Sequence, residues 1–327
     1  MKRKKLTFVK AINSAQDYIL SKFKNSLIIG QGVDRPKGVF GTTDGLVKKF
    51  SNKQVVDFPI CESLMTSVSI GMANNGLRPI IIHQRVDFAL YSFDALVNWM
   101  SIWRFKSGGE SNLPIVIRAV IGRGWGQGPQ HAKPLYPMLT GIPGLKVCIP
   151  TTPFDVKGIL ISAFLSNDPV LIFEHRSLYN LQEEVPIAGY ALDLEHERIR
   201  NIGTDLTVVC IGDVSNEVLN LLKNEKILNK KVEVIDLVGI YPLKLKKIIK
   251  SIQKTKKLLI VEPSWSSMGV SSTIFKKIFF EKKLNIKKNN FDIITFKDTH
   301  VAAGQKYEKD FYIKSSTILT RIKKLLK

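Results

Sequence analysis

The chain has 327 residues, 44% of them hydrophobic, and a formal net charge of +21 from 49 Lys and Arg against 28 Asp and Glu. That length and apolar share suffice for a full core spread over about two domains, and they exclude a disordered polyelectrolyte or a small disulfide-stapled scaffold. No apolar run approaches the ~20 residues of a membrane span.

The charge is lopsided. Residues 221–327 carry 25 Lys and Arg against 9 Asp and Glu, residues 1–50 carry 11 against 3, and residues 51–220 carry 13 against 16. The excess is mostly lysine and lacks the interleaved aromatics of a stacking platform. It reads as solvated faces, not as a nucleic-acid surface, and leaves docking to an acidic partner open.

In chain order, the basic start MKRKK runs into amphipathic helical spacing instead of an apolar signal core. SLIIGQGV reads as a buried strand, TTDGLVKKF as a turn into a short helix, and QVVDFPI as a strand. SLMTSVSIGMANNG is a helix ending at Gly76. Leu64, Val68 and Met72 form one apolar column on it, and Ser67 and Gly71 leave a neighbour room to approach. RPIIIHQRV is the next strand, followed by one helix over SFDALVNWMSIWRFKSGG, the strand LPIVIRAVIG and the loop GRGWGQGPQHAKP. LKVCIP, TPFDVKGILISAFLSN and PVLIFEHR continue as strand, helix, strand. Residues 177–203 loosen into a polar connector. A second alternating set follows: the strands DLTVVCIGDV, KVEVIDLVGI, KLLIVEPSW and FDIITF, with helices between them, over GVSSTIFKKIFFEKKL and at the C-terminus. Such alternation specifies an α/β protein with mainly parallel sheets. Three widely spaced cysteines, Cys61, Cys148 and Cys210, sit in apolar runs and read as buried free thiols of a cytoplasmic protein.

Candidate chemistry gathers at two places. Glu62 stands alone among Ile60, Cys61, Leu64 and Met65 at a strand-to-helix junction. A carboxylate there either answers the helix dipole or holds a proton to share. The glycines at 122, 124, 126 and 128 do not match a dinucleotide fingerprint. They mark a loop whose backbone approaches something closely, and the loop delivers His131, a candidate for acid-base work. His83, Arg85, His175 and Arg176 lie at strand ends, where ligands of parallel sheets collect or where ion pairs form. Phe88 and Tyr91 could wall a flat ligand or fill core. No nucleophile elbow, phosphate loop or zinc motif occurs.

Taken in order, GVFGTTDGLVKKF, VVDFPICES, GMANNGLRPII, RVDFALYSFDALVN, LPIVIRAVIGRGWGQGPQH, GLKVCIPTTPFDVKGIL and NDPVLIFEHRSLY resemble the β subunit of the thiamine-diphosphate-dependent 2-oxo acid dehydrogenases, the E1 component. GTDLTVVCIG, VEVIDLVGIYPL and LLIVEPSWSSMGVSS resemble the transketolase-type C-terminal domain. The resemblance implies a pyrimidine-binding parallel sheet with helices on both faces over residues 1–187, a connector over 188–203 and a transketolase C-terminal-like α/β domain over 204–327. It implies that Glu62 hydrogen-bonds N1′ of the aminopyrimidine, favouring the imino tautomer that takes the proton from the thiazolium C2, so that C2 can attack a 2-keto carbonyl. Ile60, Phe88 and Tyr91 would line the pyrimidine pocket, and His131 would face the substrate.

The diphosphate and its Mg²⁺ would be held by a separate α subunit in an α2β2 assembly that also pairs two β chains. A lipoyl-bearing E2 would be the acceptor. Some departures stand out: His131 is followed by Ala132-Lys133 where H-S-Q is common, Val238 replaces a common Arg, and the C-terminal DTHVAAGQKYEKDF lacks the usual docking signature. Ser166 replaces an acid in a loop that binds structural K⁺ in some members, which leaves that ion open. These departures keep two alternatives in view. One is a split transketolase-like carboligase or decarboxylase with an aldehyde or sugar acceptor. The other is a non-catalytic assembly subunit, against which the presence of Glu62 and His131 counts.

Overall fold

The computed structural model describes residues 2–122, 124–280, 284 and 286–327. The chain forms two compact units. One comprises Met1–Gly122 and Leu139–Leu194, the other Arg123–Met138 and Glu195–Lys327. The last residues of the helix expected over GVSSTIFKKIFFEKKL (281–283), and Arg123 of the glycine loop, lie outside the described residues.

The first unit runs β1 (Arg3–Thr7), α1 (Phe8–Lys22), β2 (Ser26–Gly30), α2 (Leu46–Phe50), β3 (Val55–Asp57), α3 (Glu62–Asn74), β4 (Arg78–His83), α4 (Val86–Ala89), α5 (Trp103–Lys106), β5 (Val116–Ile121), β6 (Lys146–Cys148), α6 (Pro153–Leu165), β7 (Val170–His175) and β8 (Gln182–Pro186). Six of its strands lie side by side in the order β6-β7-β5-β4-β2-β3, all parallel. Residues such as Ile28, Ile80, Ile81, Val116 and Ile117 are apolar and buried because both faces of such a sheet are covered.

Thr7 caps α1 by accepting from the Lys10 amide, and Phe8, Ala11, Ile12, Ala15 and Ile19 make its buried stripe. Thr152 caps α6 through the Asp155 amide at 3.0 Å. That helix is apolar nearly all round and packs on α1. Arg118 of β5 and Glu174 of β7 form a buried two-pronged pair at 2.5 and 2.9 Å, completed by Gln16 and the Tyr179 hydroxyl. Every prong has a partner, so the charges are tolerated in the core.

The second unit adds β9 (Glu197–Asn201), β10 (Leu206–Cys210), α7 (Val214–Asn224), α8 (Lys226–Lys231), β11 (Val232–Leu237), β12 (Gly239–Tyr241), α9 (Lys246–Thr255), β13 (Leu258–Trp265), α10 (Val270–Phe279), β14 (Phe291–Phe296), α11 (Gln305–Glu308) and α12 (Ser315–Leu326). Its sheet has the order β14-β13-β10-β11-β9, parallel except for β9. Leu206, Val208, Val234, Leu259 and Val261 pack with Val218, Leu222, Ile318 and Ile322 of α7 and α12 in its core.

Three local expectations change. The stretch 177–203 is not merely connector: β8 pairs antiparallel with β1, and β9 with β11. Both are polar edge strands held by ladder bonds, so they lack the apolar signature of central strands. The single helix expected over 92–109 is a chain of short pieces, with a π-helical stretch at Ala95–Met100 and α5 after it. Cys148 and Cys210 are buried free thiols, but Cys61 is only half-buried. Among the described residues no helix is long and apolar enough to cross a membrane.

Candidate functional site

The C-terminal ends of β2, β3 and β4 stand side by side, since Gly30 is in register with Asp57 and with Ile82. A Cβ on Gly30 would lie 2.8 Å from the Ile82 carbonyl oxygen, so glycine is what lets these strands end so closely. The residues just beyond the ends therefore converge. Gln31, Gly32, Arg35, Asp57, Phe58, Pro59, Ile60 and Gln84 enclose a pocket of about 460 Å³. Open parallel sheets bind ligands at such strand ends.

Glu62 opens α3 beside this pocket, half-buried in the first turn, where the positive end of the helix dipole favours a carboxylate. Its Oε1 accepts from Gln31 Nε2 at 3.3 Å, and Gln84 Nε2 holds the Gln31 carbonyl at 3.0 Å. Among the described residues nothing donates to Oε2. The main chain is fixed as well: Ser92 Oγ donates to the Glu62 carbonyl at 2.9 Å and accepts from Thr66 Oγ1 at 2.8 Å. His83 Nε2 lies 3.5 Å from the Thr66 oxygen. Because the Thr66 proton goes to Ser92, this assignment makes His83 Nε2 the donor. Burial pushes the His83 pKa down to about 4, so the ring is neutral near pH 7.

Of the other residues expected here, Ile60 lines the pocket and is 84% exposed. Phe88 is half-buried on α4, and Tyr91, just before Ser92, is 74% exposed. The apolar column of α3 faces outward at Leu64 and Val68. The core side of the helix is Met65, Thr66, Ser69, Ile70 and Ala73.

His131 belongs to the second unit, half-buried in a 3₁₀ turn at Pro129–His131. Gly126 and Gly128 have φ of +70° and +75°, and a Cβ on Gly126 would lie 2.9 Å from the Gln305 nitrogen. The close approach expected of this loop is thus to the 303–308 segment of its own chain, through a Gln127–Ala303 bridge and a Gly304 N–Gly126 O bond of 2.9 Å.

Gln31, Gln84, Ser92 and Thr66 were not singled out by the sequence. Two of them had a usable signal, because Gln31 and Gln84 directly follow strand ends. The donor set suits an aminopyrimidine: one carboxylate oxygen is fixed, the other meets no donor among the described residues, and carboxamides, Phe58 and Ile60 stand alongside. Among the described residues no group of three or more His, Cys, Asp or Glu is placed to hold a metal ion.

Comparison with known proteins gives matching results. Residues 4–182 match the transketolase pyrimidine-binding domain, and residues 195–318 match the transketolase C-terminal domain. The pyruvate dehydrogenase E1 component subunit beta of Staphylococcus aureus is 35% identical over 274 residues, covering 84% of each chain. That of Staphylococcus epidermidis is 35% identical over 270 residues, covering 82% of this chain and 83% of the relative. A solved split-gene transketolase, described as an inactive beta4 tetramer, superposes with a TM-score of 0.78 over 98% of both chains at 16% identity, which speaks for the fold alone.

Proposed function

The chain belongs to the β subunits of thiamine-diphosphate-dependent 2-oxo acid dehydrogenases, and from that premise we propose that Glu62 and His131 are its catalytic residues in a cytoplasmic α2β2 assembly. When bound, thiamine diphosphate supplies the attacking carbon and the electron sink for decarboxylation. Glu62 would be the residue that holds the pyrimidine ring nitrogen and shares a proton with it, while the Gln31 amide keeps Oε1 occupied and the carboxylate oriented. Ile60, Phe88 and Tyr91 would flank the ring once the cofactor and the partner subunit are in place. His131 holds or moves a proton on the substrate side.

The observation that carries this reading is the Glu62 carboxylate, tethered at one oxygen to Gln31 of a pocket lining on converging strand ends and, among the described residues, without a donor at the other. The exposed Leu64 and Val68, beside the small Ser67 and Gly71 on the same helix, support packing of α3 against a partner subunit. The diphosphate and Mg²⁺ fall to the α subunit in this reading, and a lipoyl-bearing E2 is the acceptor.

The loop for which the resemblance leaves K⁺ open is tied here by the protein's own cations. Arg78 donates to the carbonyls of Phe164 (3.0 and 2.6 Å) and Ser166 (2.6 Å), and Lys146 and Arg104 both hold Asp168. In our reading this loop is ordered without a monovalent ion.

The test is to produce the chain with an α subunit and measure thiamine-diphosphate-dependent CO₂ release from pyruvate and branched-chain 2-oxo acids. Lipoyl domain and aldehydes are added in separate runs. Glu62→Gln lowers turnover by roughly 10²–10⁴-fold with assembly intact. Near-normal turnover removes Glu62 from the mechanism, and product formed only with aldehydes rejects the dehydrogenase acceptor.

A further inference from the structure

Two carboxylates of the second unit that this chemistry does not use grip the His131 loop from either side. Glu262 of β13 is fully buried. It accepts from the Val270 and Ser271 amides at 2.9 and 2.7 Å, at the start of the ten-residue α10, and from the Tyr136 hydroxyl at 2.9 Å. A Cβ on Gly269 would lie 2.6 Å from Glu262 Oε2, so any larger residue there would push the carboxylate off the helix start. No Lys, Arg or His pairs with Glu262 among the described residues. The helix amides and the phenol carry its charge instead. Tyr136 is itself buried. That burial, followed by the negative charge of Glu262, lifts its phenol well above the ordinary value and keeps it a donor.

On the other side of His131, Glu308 is 3% exposed. It accepts from the Gly126 amide at 3.0 Å and the Tyr312 hydroxyl at 3.3 Å. Between the two anchors the backbone is glycine-rich, with positive φ at Gly126 and Gly128, so bonds to buried groups on both sides of residue 131 narrow the conformations the loop can take. Buried carboxylates are a costly way to gain stability, whereas they fix geometry well.

We propose that Glu262, through Tyr136, and Glu308, through the Gly126 amide, are positioning residues that set where His131 stands for the substrate. The proposal rests on the reading of His131 as a substrate-facing residue.

The experiment uses the assembled enzyme with Tyr136→Phe, Glu308→Ala, Glu308→Gln and His131→Asn. In Tyr136→Phe and Glu308→Ala, amide exchange across residues 124–135 accelerates about tenfold or more, as loss of a bond to a buried charged group implies. Turnover of the 2-oxo acid falls about tenfold while thiamine-diphosphate affinity, followed by titration calorimetry, stays unchanged. Glu308→Gln, which retains an acceptor oxygen for the Gly126 amide, restores both. Should Tyr136→Phe fail to fold, Glu308→Ala at the opposite anchor carries the same comparison. Inactive His131→Asn alongside fully active Tyr136→Phe and Glu308→Ala overturns the clamp alone. Full turnover in His131→Asn overturns the functional reading on which it stands.

Discussion

Acidification strikes the Glu62 site from beneath, through His83. The imidazole is buried under the Thr66–Ser92 pair that holds the Glu62 carbonyl, and burial lowers its pKa from 6.5 to about 4. An unfolded chain takes up a proton near pH 6.5, but the folded chain resists until about pH 4. The unfolded state therefore binds more protons across that window. Stability is full above pH 6.5, declines as pH falls through the window, and levels off below about 4. A shift of about 2.5 units at about 1.4 kcal/mol per unit gives a loss of about 3 kcal/mol. The assay is urea unfolding of the chain at several pH values between 7 and 4, compared with His83→Leu. The variant starts less stable at neutral pH, because Thr66 loses a donor, but lacks this component of the pH slope. Identical slopes for the two proteins would refute the assignment of a buried neutral imidazole.

Gln31→Leu removes the one amide donor on Glu62 Oε1 among the described residues. Thiamine-diphosphate affinity in the assembled enzyme is expected to fall about tenfold, the worth of one hydrogen bond to a charged group, with unchanged circular dichroism of the apoprotein. Arg78→Leu strips the Phe164 and Ser166 carbonyls of their donor and destabilises the chain by about 1–3 kcal/mol in denaturant titration. Wild-type melting in K⁺ and in Na⁺ should coincide. Gly126→Ala meets both a left-handed backbone and a backbone nitrogen 2.9 Å away, whereas Gly76→Ala, at φ +86°, meets open space. Both cost about 1–2 kcal/mol from φ alone, but only the first should accelerate amide exchange across the His131 loop.

Much of this architecture is legible in the residues because central strands and buried helices write themselves as apolar runs bounded by Gly, Pro and caps. SLIIG, RPIIIH, VLIFEH and LTVVC each became a strand where one was expected, ending one to four residues before the expected C-terminal bound. Where pairing, not burial, makes the strand, the code is faint. Arg3–Thr7 and Gln182–Pro186 are charged and become strands only by meeting each other. On α3 the periodicity shows two stripes but not which one meets the sheet. The larger side chains, Leu64 and Val68, went outward while Thr66 and Ser69 went in. Glu62 announced itself as a charge in an apolar setting. Gln31 did not, since a carboxamide after a strand is common, and its role comes from a partner 31 residues away. Nor does local pattern say that Arg123–Met138 folds with residues beyond 194, because that choice is made by Glu262 and Glu308, far along the chain.

The polypeptide passes between its two units three times, after Gly122, after Met138 and after Leu194. Beads on one thread can be separated with a single snip, but these cannot. A protease nick or a gene fission at Leu194 would strand the excursion around residue 130 on the wrong fragment, with Leu135 and Tyr136 stripped of their bed. Neither piece would be whole until it found the other, and wholesale exchange of the C-terminal half with a distant homologue would fail unless that short excursion were exchanged with it.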